Sequence, residues 1–301
     1  MDRDACIIWA VRPSVHVVAA VPGLVHAELE RSFDLLDAPE GAAGLVAIPS
    51  VRVDTALLDR AGPGLRIVAN YAVGLDNVDL EAARERGIVV TNTPDVLTHA
   101  TAEHALALLL SLTRRIAEGD RFLRRGEQWR IEPTFMLGRG LDGRTLGIVG
   151  AGRIGGELAR LATALGMHVV TAGRSDPLDD VLACDAVSLH CPLTPETRHL
   201  IRNETLRRMK PDAVLVNTSR GAVVDEEALV RALRDGTIAG AALDVFEDEP
   251  AVHPGLLELE NVVLTPHVGS ATHDAREAMG MLCVDALRAV LLEDRRPANA
   301  V

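Results

Sequence analysis

Short apolar runs alternate along the chain with segments in which apolar residues recur at helical spacing. This alternation is typical of parallel sheets that carry helices on both faces. The apolar runs predict strands at Cys6–Val11, Gly44–Ile48, Leu65–Ala69, Ile88–Thr91, Leu146–Val149, Met167–Ala172, Ala186–His190, Ala213–Asn217, Gly240–Val245 and Val262–Thr265. Helical spacing predicts helices at Pro22–Phe33, Asp54–Ala61, Leu80–Arg86, Thr101–Ile116, Glu157–Leu165, Pro254–Leu259 and Ala275–Leu292. We therefore predict an α/β fold, with a loop-rich passage at Arg121–Gly143.

A glycine-rich turn in the middle of the chain joins one predicted strand to the helix that follows it. Gly150-Ala151-Gly152-Arg153-Ile154-Gly155 fits the G-x-G-x-x-G pattern. Glycines allow a tight turn and close approach to a pyrophosphate, whose charge is then held by N–H groups at the helix start. The run MHVVTA supplies the next strand of a βαβ unit. We predict a dinucleotide site at this turn; a tight loop that binds no ligand is the alternative.

Length and element order predict two domains. A chain of 301 residues suits about two domains, and the segment before Pro94 has strand and helix alternation of its own. We predict a flavodoxin-like substrate domain from residues 1–95 and 274–301. Residues 96–273 are predicted to form a Rossmann-type dinucleotide-binding domain with a doubly wound parallel sheet.

Charge and cysteine usage exclude several other classes of protein. Lys and Arg number 31 and Asp and Glu 43, a net charge of −12 that disfavours a nucleic-acid partner. No apolar stretch has the roughly 18 residues of a membrane span, and the start MDRDACIIWAV lacks the features of a signal peptide, so we expect a cytoplasmic protein. The spacing of Cys6, Cys184, Cys191 and Cys283 predicts neither a metal site nor disulfides but buried thiols.

The residues after the second strand of the βαβ unit bear on cofactor choice. NAD sites usually carry an acidic residue about 20 residues beyond the glycines, where it accepts hydrogen bonds from the ribose hydroxyls. Here the strand-end residue is Gly173, which cannot repel a 2′-phosphate, and Arg174 and Ser175 follow it. An arginine and a hydroxyl can bind a phosphate by charge-assisted hydrogen bonds. We therefore expect NADP(H) to be preferred over NAD(H); stacking of Arg174 on adenine is the alternative.

Three predicted strands of the second domain lead into polar residues with complementary chemistry. Arg220 can hold a carboxylate, His267 can donate a proton to a carbonyl oxygen, and Glu249 can orient the imidazole. The carboxyl ends of strands in a doubly wound sheet meet at one crevice, so we expect the three side chains to lie together. Each residue also has a structural alternative: Arg220 could cap a helix or pair with Asp225, His267 could be a satisfied structural histidine, and Glu249 is one of three acidic residues in its segment.

A fourth strand end, in the first domain, offers backbone groups. Val73 and Gly74 lie just past the predicted strand Leu65–Ala69, where their N–H groups could bind an anion. A plain turn glycine explains this segment equally well.

These segments together carry a family resemblance. NYAVGLDNVD, GIVGAGRIGG, HCPLTPETRHLI, NTSRGAVVDEEAL, ALDVFEDEP and LTPHVGSAT closely resemble the D-isomer-specific 2-hydroxyacid dehydrogenases, from about Leu65 to the C-terminus. The resemblance implies that Arg220, Glu249 and His267 are catalytic. It also implies that Arg220 and the backbone of Val73 and Gly74 bind the substrate carboxylate. Beside the glycines, positions that match cofactor contacts are Thr101, Arg153, Ile154, Pro192, Thr197, Thr218, Asp244, His267 and Gly269.

Within that family, TAGRS and HVGSATH look most like the NADP-dependent glyoxylate and hydroxypyruvate reductases. Three features depart from the family pattern. The chain runs from Ser175 almost directly into the segment PLDDVLACDAVSLHCPLT, without the usual extra helix and edge strand before it. His104 stands where an aliphatic residue is usual, and we expect a buried packing role rather than a pH switch. Ile131 occupies the usual aromatic position, with Trp129 two residues before it.

We therefore predict an oxidoreductase that reduces a small 2-ketoacid to the D-2-hydroxyacid by hydride transfer, with His267 as the general acid. The resemblance implies a homodimer formed through the dinucleotide-binding domain. Two alternatives stay open: an enzyme of the same chemistry that acts on phosphoglycerate or phosphite, and a dinucleotide-sensing interaction protein similar to the corepressors of this fold.

Overall fold

The fold is taken from a computed structural model that describes residues 12–301. The chain divides into two compact units, one comprising Met1–Leu97 with Thr272–Val301 and the other Thr98–Ala271. We call them unit 1 and unit 2, and number strands and helices in chain order. The predicted strand Cys6–Val11 lies outside the described residues.

Unit 1 is built on a five-stranded parallel sheet. Its strands are β1 (Ser14–Val17), β2 (Asp34–Leu36), β3 (Gly44–Ala47), β4 (Ile67–Asn70) and β5 (Val89–Thr91), and its helices are α1 (Gly23–Ser32), α2 (Thr55–Ala61), α3 (Leu80–Glu85) and α11 (His273–Leu291). The strand order β2-β1-β3-β4-β5 is the flavodoxin-like order, so that prediction is confirmed. We did not predict β1 and β2, which are short and only partly buried.

The helices of unit 1 begin where side chains can bond the first free N–H groups. Asp54 accepts a hydrogen bond from the Leu57 N–H group, and Asp79 accepts one from the Ala82 N–H group. An aspartate in this position satisfies a donor that otherwise has no partner in the helix. Both helix starts therefore follow directly from local sequence, and the predicted helices agree with the structure to within one residue.

Unit 2 contains a six-stranded parallel sheet in the order β11-β10-β9-β8-β6-β7. Its strands are β6 (Thr145–Val149), β7 (His168–Ala172), β8 (Ala186–Leu189), β9 (Val214–Asn217), β10 (Gly240–Leu243) and β11 (Val262–Leu264). Its helices are α4 (Thr98–Thr113), α5 (Ile116–Arg124), α6 (Arg153–Ala164), α7 (Asp179–Leu182), α8 (Asn203–Leu206), α9 (Glu226–Arg234) and α10 (Pro254–Leu257). The strand that follows β6 lies on one side of it and the next lies on the other, which is the switch point where ligands bind in such sheets. The predicted Rossmann-type fold is confirmed.

The shortened segment after Ser175 explains why β7 is the edge strand. A classic doubly wound sheet has one more strand beyond the second. Here only the four-residue helix α7 lies between β7 and β8, so among the described residues nothing extends the sheet past β7. The residues that follow β7 therefore stand at an open edge of the sheet.

Two apolar clusters fill the two faces of the unit 2 sheet. Leu146 and Ile148 of β6 pack with helices α4 and α6 on one face. The next residue, Val149, packs on the opposite face with residues of α7, α8 and α9. Because successive strand side chains point to opposite faces, a strand covered on both sides must be apolar throughout. Cys184, Cys191 and Cys283 are free and buried, as predicted, whereas Cys6 lies outside the described residues.

Two helix predictions in unit 2 were wrong in their bounds. The predicted helix Thr101–Ile116 ends at Thr113, and α5 occupies part of the segment predicted to be loop-rich. The helices are separated at Arg115, whose φ of 55° is left-handed. Helix α6 begins at Arg153, four residues before the predicted start at Glu157. Glycines disfavour a helix interior, but tertiary contacts override that preference here.

No helix among residues 12–301 has the length and apolar character needed to cross a membrane.

Candidate active site

The glycine turn after β6 has the geometry that the sequence motif requires. Gly150 has a φ of 94°, in the left-handed region that favours glycine. A Cβ atom at Gly155 would lie 2.3 Å from the Gly150 carbonyl oxygen, so helix α6 can pack against the turn only with glycine there. At Gly152, in contrast, a Cβ atom would meet nothing within 4 Å. The turn is therefore packed on its inner side and open at its middle glycine, which fits a bound pyrophosphate.

A buried hydroxyl beyond β9 also fits a bound ligand. The Thr218 Oγ1 atom is buried and has no hydrogen-bond partner among the described residues. Leaving such a group unsatisfied costs about 1–3 kcal/mol. Since Thr218 was predicted to contact the cofactor and follows a strand of the same sheet, the residues present fit a dinucleotide at these strand ends.

Asp244, at the end of β10, organises the loop that carries His267. Its Oδ1 atom accepts hydrogen bonds from the Thr265 hydroxyl at 2.6 Å and from the Val268 N–H group at 2.8 Å. Its Oδ2 atom accepts one from the Gly269 N–H group at 2.7 Å. Burial works to raise the pKa of Asp244, but hydrogen bonds, of which that from His104 is the largest, hold the pKa below its usual value. The carboxylate is therefore held ionised, although only 1% of the residue is exposed.

His104 contacts this carboxylate and its side chain is 21% exposed, so the expectation of a buried packing role was wrong. Its Nε2 atom lies 3.0 Å from Thr265 Oγ1 and 3.3 Å from Asp244 Oδ1. The Thr265 hydroxyl gives its only proton to Asp244, so the Nε2 atom of His104 must be the donor in its own contacts. The ring therefore adds one more donor to the set that surrounds Asp244.

Replacing His104 should lower stability in a pH-dependent way. The depressed pKa of Asp244 stabilises the fold above its unfolded value of 3.8, and this contribution is lost as pH falls through the lower folded value. We expect His104→Leu to lose about 1–2 kcal/mol of unfolding free energy at pH 7, and less at pH 3. Urea unfolding at the two pH values measures the difference. His104→Gln keeps a donor and should recover part of the loss; equal losses at both pH values would contradict the role of Asp244.

Two of the predicted catalytic side chains, His267 and Glu249, are in contact at the strand ends of unit 2. The Nδ1 atom of His267 lies 2.7 Å from Glu249 Oε2, and the other oxygen of Glu249 accepts the Phe246 N–H group at 3.0 Å. Burial works to raise the pKa of Glu249, but the His267 hydrogen bond and the charge of Arg220 hold the pKa below its usual value. The carboxylate is therefore ionised at neutral pH and orients the imidazole, leaving Nε2 as the atom that can serve a substrate.

The backbone at His267 is strained. Its φ is 53°, a left-handed conformation that is uncommon for residues other than glycine. The conformation is held by its N–H group, which lies 2.8 Å from the Asp244 carbonyl oxygen and 3.1 Å from that of Thr265. Backbone strain of this kind collects at functional sites, where surrounding contacts impose it.

Arg220 lies on a loop whose backbone is held by hydrogen bonds with the Asn217 side chain. The Asn217 side chain donates a hydrogen bond to the Arg220 carbonyl at 2.9 Å and accepts one from the Ser219 hydroxyl at 2.8 Å. One guanidinium N–H group of Arg220 donates to the Ser219 carbonyl at 2.8 Å. Asp225, the alternative partner considered from the sequence, instead caps helix α9 by accepting the Ala228 N–H group.

The predicted carboxylate-binding turn belongs to unit 1. Val73 and Gly74 follow β4 and are partly exposed. Their N–H groups have no hydrogen-bond partner among the residues that the structure describes. Two adjacent N–H groups without a partner can bind an anion.

The strand end at Gly173 contains a carboxylate that sequence reasoning missed. Asp176 Oδ2 accepts the Gly173 N–H group at 2.8 Å. Arg174 and Ser175, between them, are exposed. The charge of Arg174 also contributes to a lowered pKa of Glu196, for which the Thr194 hydroxyl is the larger cause. Arg174 therefore stands in an acidic neighbourhood that the strand-end argument did not include.

The other predicted cofactor positions lie on the same strand ends or beside them. The Thr197 hydroxyl donates to the Pro192 carbonyl at 2.7 Å, so these two positions after β8 are joined. Thr101, on α4, is buried, and a Cβ atom at Gly269 would lie 3.5 Å from its methyl carbon. Arg153 and Ile154 open helix α6. In the segment after α5, Ile131 is 92% exposed and Trp129 53% exposed.

Comparison with known proteins agrees with this arrangement. The family model for the D-isomer specific 2-hydroxyacid dehydrogenase NAD binding domain matches residues 106–269. A glyoxylate reductase of Thermococcus litoralis is 50% identical over 266 residues, which cover 82% of this chain and 80% of that protein. Two crystal structures are also similar. The TT0316 protein of Thermus thermophilus has a TM-score of 0.90 and 46% identity, covering 96% of this chain and 99% of that one. An NADPH-dependent glyoxylate/hydroxypyruvate reductase of Sinorhizobium meliloti, in complex with NADP and malonate, has a TM-score of 0.85 and 36% identity. The match covers 96% of this chain and 97% of that one.

The resemblance predicted from the sequence motifs is therefore confirmed. The matched region spans the glycine turn, the loop with Arg220, and Glu249 and His267. High identity to curated relatives extends over most of the chain. This protein belongs to the D-isomer specific 2-hydroxyacid dehydrogenase family.

Proposed function

We propose that this protein reduces a small 2-ketoacid, of the glyoxylate or hydroxypyruvate type, to the D-2-hydroxyacid, with NADPH as the preferred cofactor. The pair formed by His267 and Glu249, with Arg220 close enough to act on the Glu249 charge, carries this proposal. It supplies a proton donor and a carboxylate-binding cation at one place. Relatives named as glyoxylate reductases support the choice of substrate.

Each side chain has a definite part in the proposed reaction. When bound, the reduced nicotinamide supplies the hydride. Arg220 binds the substrate carboxylate through its planar guanidinium, which matches the two oxygens. His267 donates the proton on Nε2 to the carbonyl oxygen as negative charge develops there. Glu249 stabilises the imidazolium through Nδ1 and keeps Nε2 directed at the substrate.

The two units have separate proposed roles. Unit 2 corresponds to the predicted dinucleotide-binding domain, in which the turn Gly150–Gly155 and Thr218 hold the cofactor. Unit 1 corresponds to the predicted substrate domain, in which the Val73 and Gly74 N–H groups bind the substrate carboxylate. The unpartnered N–H groups of that turn, among the residues described, support its assignment.

Direct assay tests the proposed reaction. Purified protein should oxidise NADPH when glyoxylate or hydroxypyruvate is added, and more slowly oxidise NADH, as followed by loss of nicotinamide absorbance. A faster rate with NADH would keep the reaction and reject the cofactor preference. No oxidation of either cofactor with a panel of small 2-ketoacids would overturn the proposal.

Arg174 should decide the cofactor preference. We expect Arg174→Ala to weaken NADPH binding about 10- to 100-fold, because hydrogen bonds to charged groups contribute about 1.5–3 kcal/mol. NADH binding should change less than twofold. Asp176→Asn is the reciprocal variant, since removing a negative charge from this strand end should favour the 2′-phosphate. Fluorescence titration of both cofactors measures the effects; equal weakening of NADH would instead indicate that Arg174 stacks on adenine.

Exposed apolar side chains in unit 2 support the proposed homodimer. Leu123, Trp129, Ile131, Phe135 and Leu137 are between 41% and 92% exposed, within one short segment. Exposed apolar side chains concentrated in one segment are a candidate interaction surface. Size-exclusion chromatography with light scattering should give twice the chain mass of 32.1 kDa. A monomer would overturn the dimer without affecting the proposed reaction.

A further inference from the structure

The carbonyl groups of the turn after β4 are held by the segment that follows β5. The Ala72 carbonyl accepts a hydrogen bond from the Thr93 N–H group at 2.9 Å. The Val73 carbonyl accepts one from the side-chain amide of Asn92, also at 2.9 Å. Two neighbouring residues of one segment therefore hold two successive carbonyls of the turn.

Holding these carbonyls also orients the N–H groups of Val73 and Gly74. In a planar trans peptide the N–H group points opposite to the carbonyl of the preceding residue. The Ala72 carbonyl is in the same peptide plane as the Val73 N–H group, and the Val73 carbonyl is in the same plane as the Gly74 N–H group. Because both carbonyls are bound by the segment after β5, both N–H groups point away from it.

We propose that Asn92 is a positioning residue that orients the Gly74 N–H group toward the substrate carboxylate. This inference rests on the proposed function, in which the turn binds that carboxylate. The Thr93 contact uses the backbone N–H group, so any residue except proline could make it. The Asn92 contact depends on a side-chain amide, which makes it specific to this residue.

A second asparagine holds Asn92 in place. The Asn299 side chain donates to the Asn92 carbonyl at 2.6 Å, and the Asn92 N–H group lies 3.4 Å from the Asn299 carbonyl oxygen. The Val301 N–H group donates to the Val90 carbonyl at 2.9 Å. Residues 299–301 thus lie along the edge of β5, and Asn299 limits the positions that the Asn92 backbone can take.

Replacing Asn92 tests the proposal by separating binding from turnover. For Asn92→Ala we expect KM for glyoxylate to rise about three- to tenfold, the effect of losing one ordinary hydrogen bond. The kcat should stay within about twofold and the NADPH dissociation constant should not change, because neither depends on the Gly74 N–H group. Asn92→Asp keeps the size of the side chain but cannot donate, so it should raise KM at least as much.

A binding measurement gives a readout that does not depend on turnover. Oxamate has the carboxylate of a 2-ketoacid but carries an amide carbonyl that does not accept hydride. Its dissociation constant, measured by calorimetry with saturating NADPH, should rise by the same factor as KM. Asn299→Ala should raise both quantities less, because Asn299 acts through Asn92.

Asn261→Ala is the matched control. Its side-chain amide donates to the carbonyls of Leu233 and Ala239 in unit 2, at 3.4 and 3.2 Å. This variant should lower Tm and leave KM and oxamate binding unchanged. If Asn92→Ala and Asn92→Asp also change only Tm, Asn92 is structural and the inference is overturned. If the wild-type protein neither oxidises NADPH with a ketoacid nor binds oxamate, the proposed function fails as well.

Discussion

His267→Ala should lower kcat/KM for the ketoacid about 10²- to 10⁴-fold, the range expected for loss of a general acid. The dissociation constant for NADPH should change far less, because the glycine turn and the other strand-end residues remain. The structural reason is the contact between His267 Nδ1 and the ionised Glu249, which prepares Nε2 for proton transfer. Steady-state kinetics together with cofactor titration measures both effects.

A second pair of a histidine and a glutamate provides the matched control. The Nε2 atom of His253 lies 3.1 Å from Glu227 Oε2, and its Nδ1 atom accepts a hydrogen bond from the Gly255 N–H group. His253→Ala should reduce stability at the start of α10 and leave kcat/KM within about twofold, as expected away from a catalytic site. Wild-type turnover in His267→Ala, or an equal loss in the two variants, would reject His267 as the acid.

Arg220→Met should reduce kcat/KM about 10²- to 10⁴-fold, mainly through KM. Each hydrogen bond between charged groups is worth about 1.5–3 kcal/mol, and a guanidinium can give two to one carboxylate. Arg220→Lys keeps the charge but loses the planar pair of donors, so it should recover only part of the loss. Full recovery by lysine would show that charge alone is needed at this position.

Arg198→Lys is the control for this substitution. Arg198 pairs with Glu247 at 3.1 Å and its side chain is 56% exposed, so its replacement should not change ketoacid kinetics. The substrate also provides a test. If Arg220 binds the carboxylate, a matching ketone without a carboxylate should react equally slowly with the wild-type protein and with Arg220→Met. A lower rate with the ketone in Arg220→Met than in the wild-type protein would contradict that role.

Most elements of the fold were predicted from the sequence because their signals are local. Parallel strands covered on both faces must be mostly apolar, and this is visible in the three residues Val214, Leu215 and Val216 of β9. Aspartates at helix starts, such as Asp54 and Asp79, act within three residues. Two of the elements that were missed bury little of their surface. Strand β2 has three residues, none of them fully buried, and helix α5 has no buried residue.

Part of the candidate site was predicted because the ends of its strands are also recognisable in the sequence. Arg220, Glu249 and His267 each follow an apolar strand, and parallel strands bring such ends to one edge of a sheet. The pairing of His267 with Glu249 therefore followed from topology and chemistry. The strained conformation of His267 did not, because it is imposed by the carbonyl groups of Asp244 and Thr265 rather than by neighbouring sequence.

The sequence by itself determined most of the strands and helices, the glycine turn and the chemical groups at the strand ends, since each depends on residues close together in the chain. Only the tertiary structure decided which side chains support those groups. His104 meets Thr265 across 161 positions of sequence, and Asn299 meets Asn92 across 207. Contacts over such distances leave no periodicity in the chain, because they depend on how packed elements bring distant residues within hydrogen-bonding range.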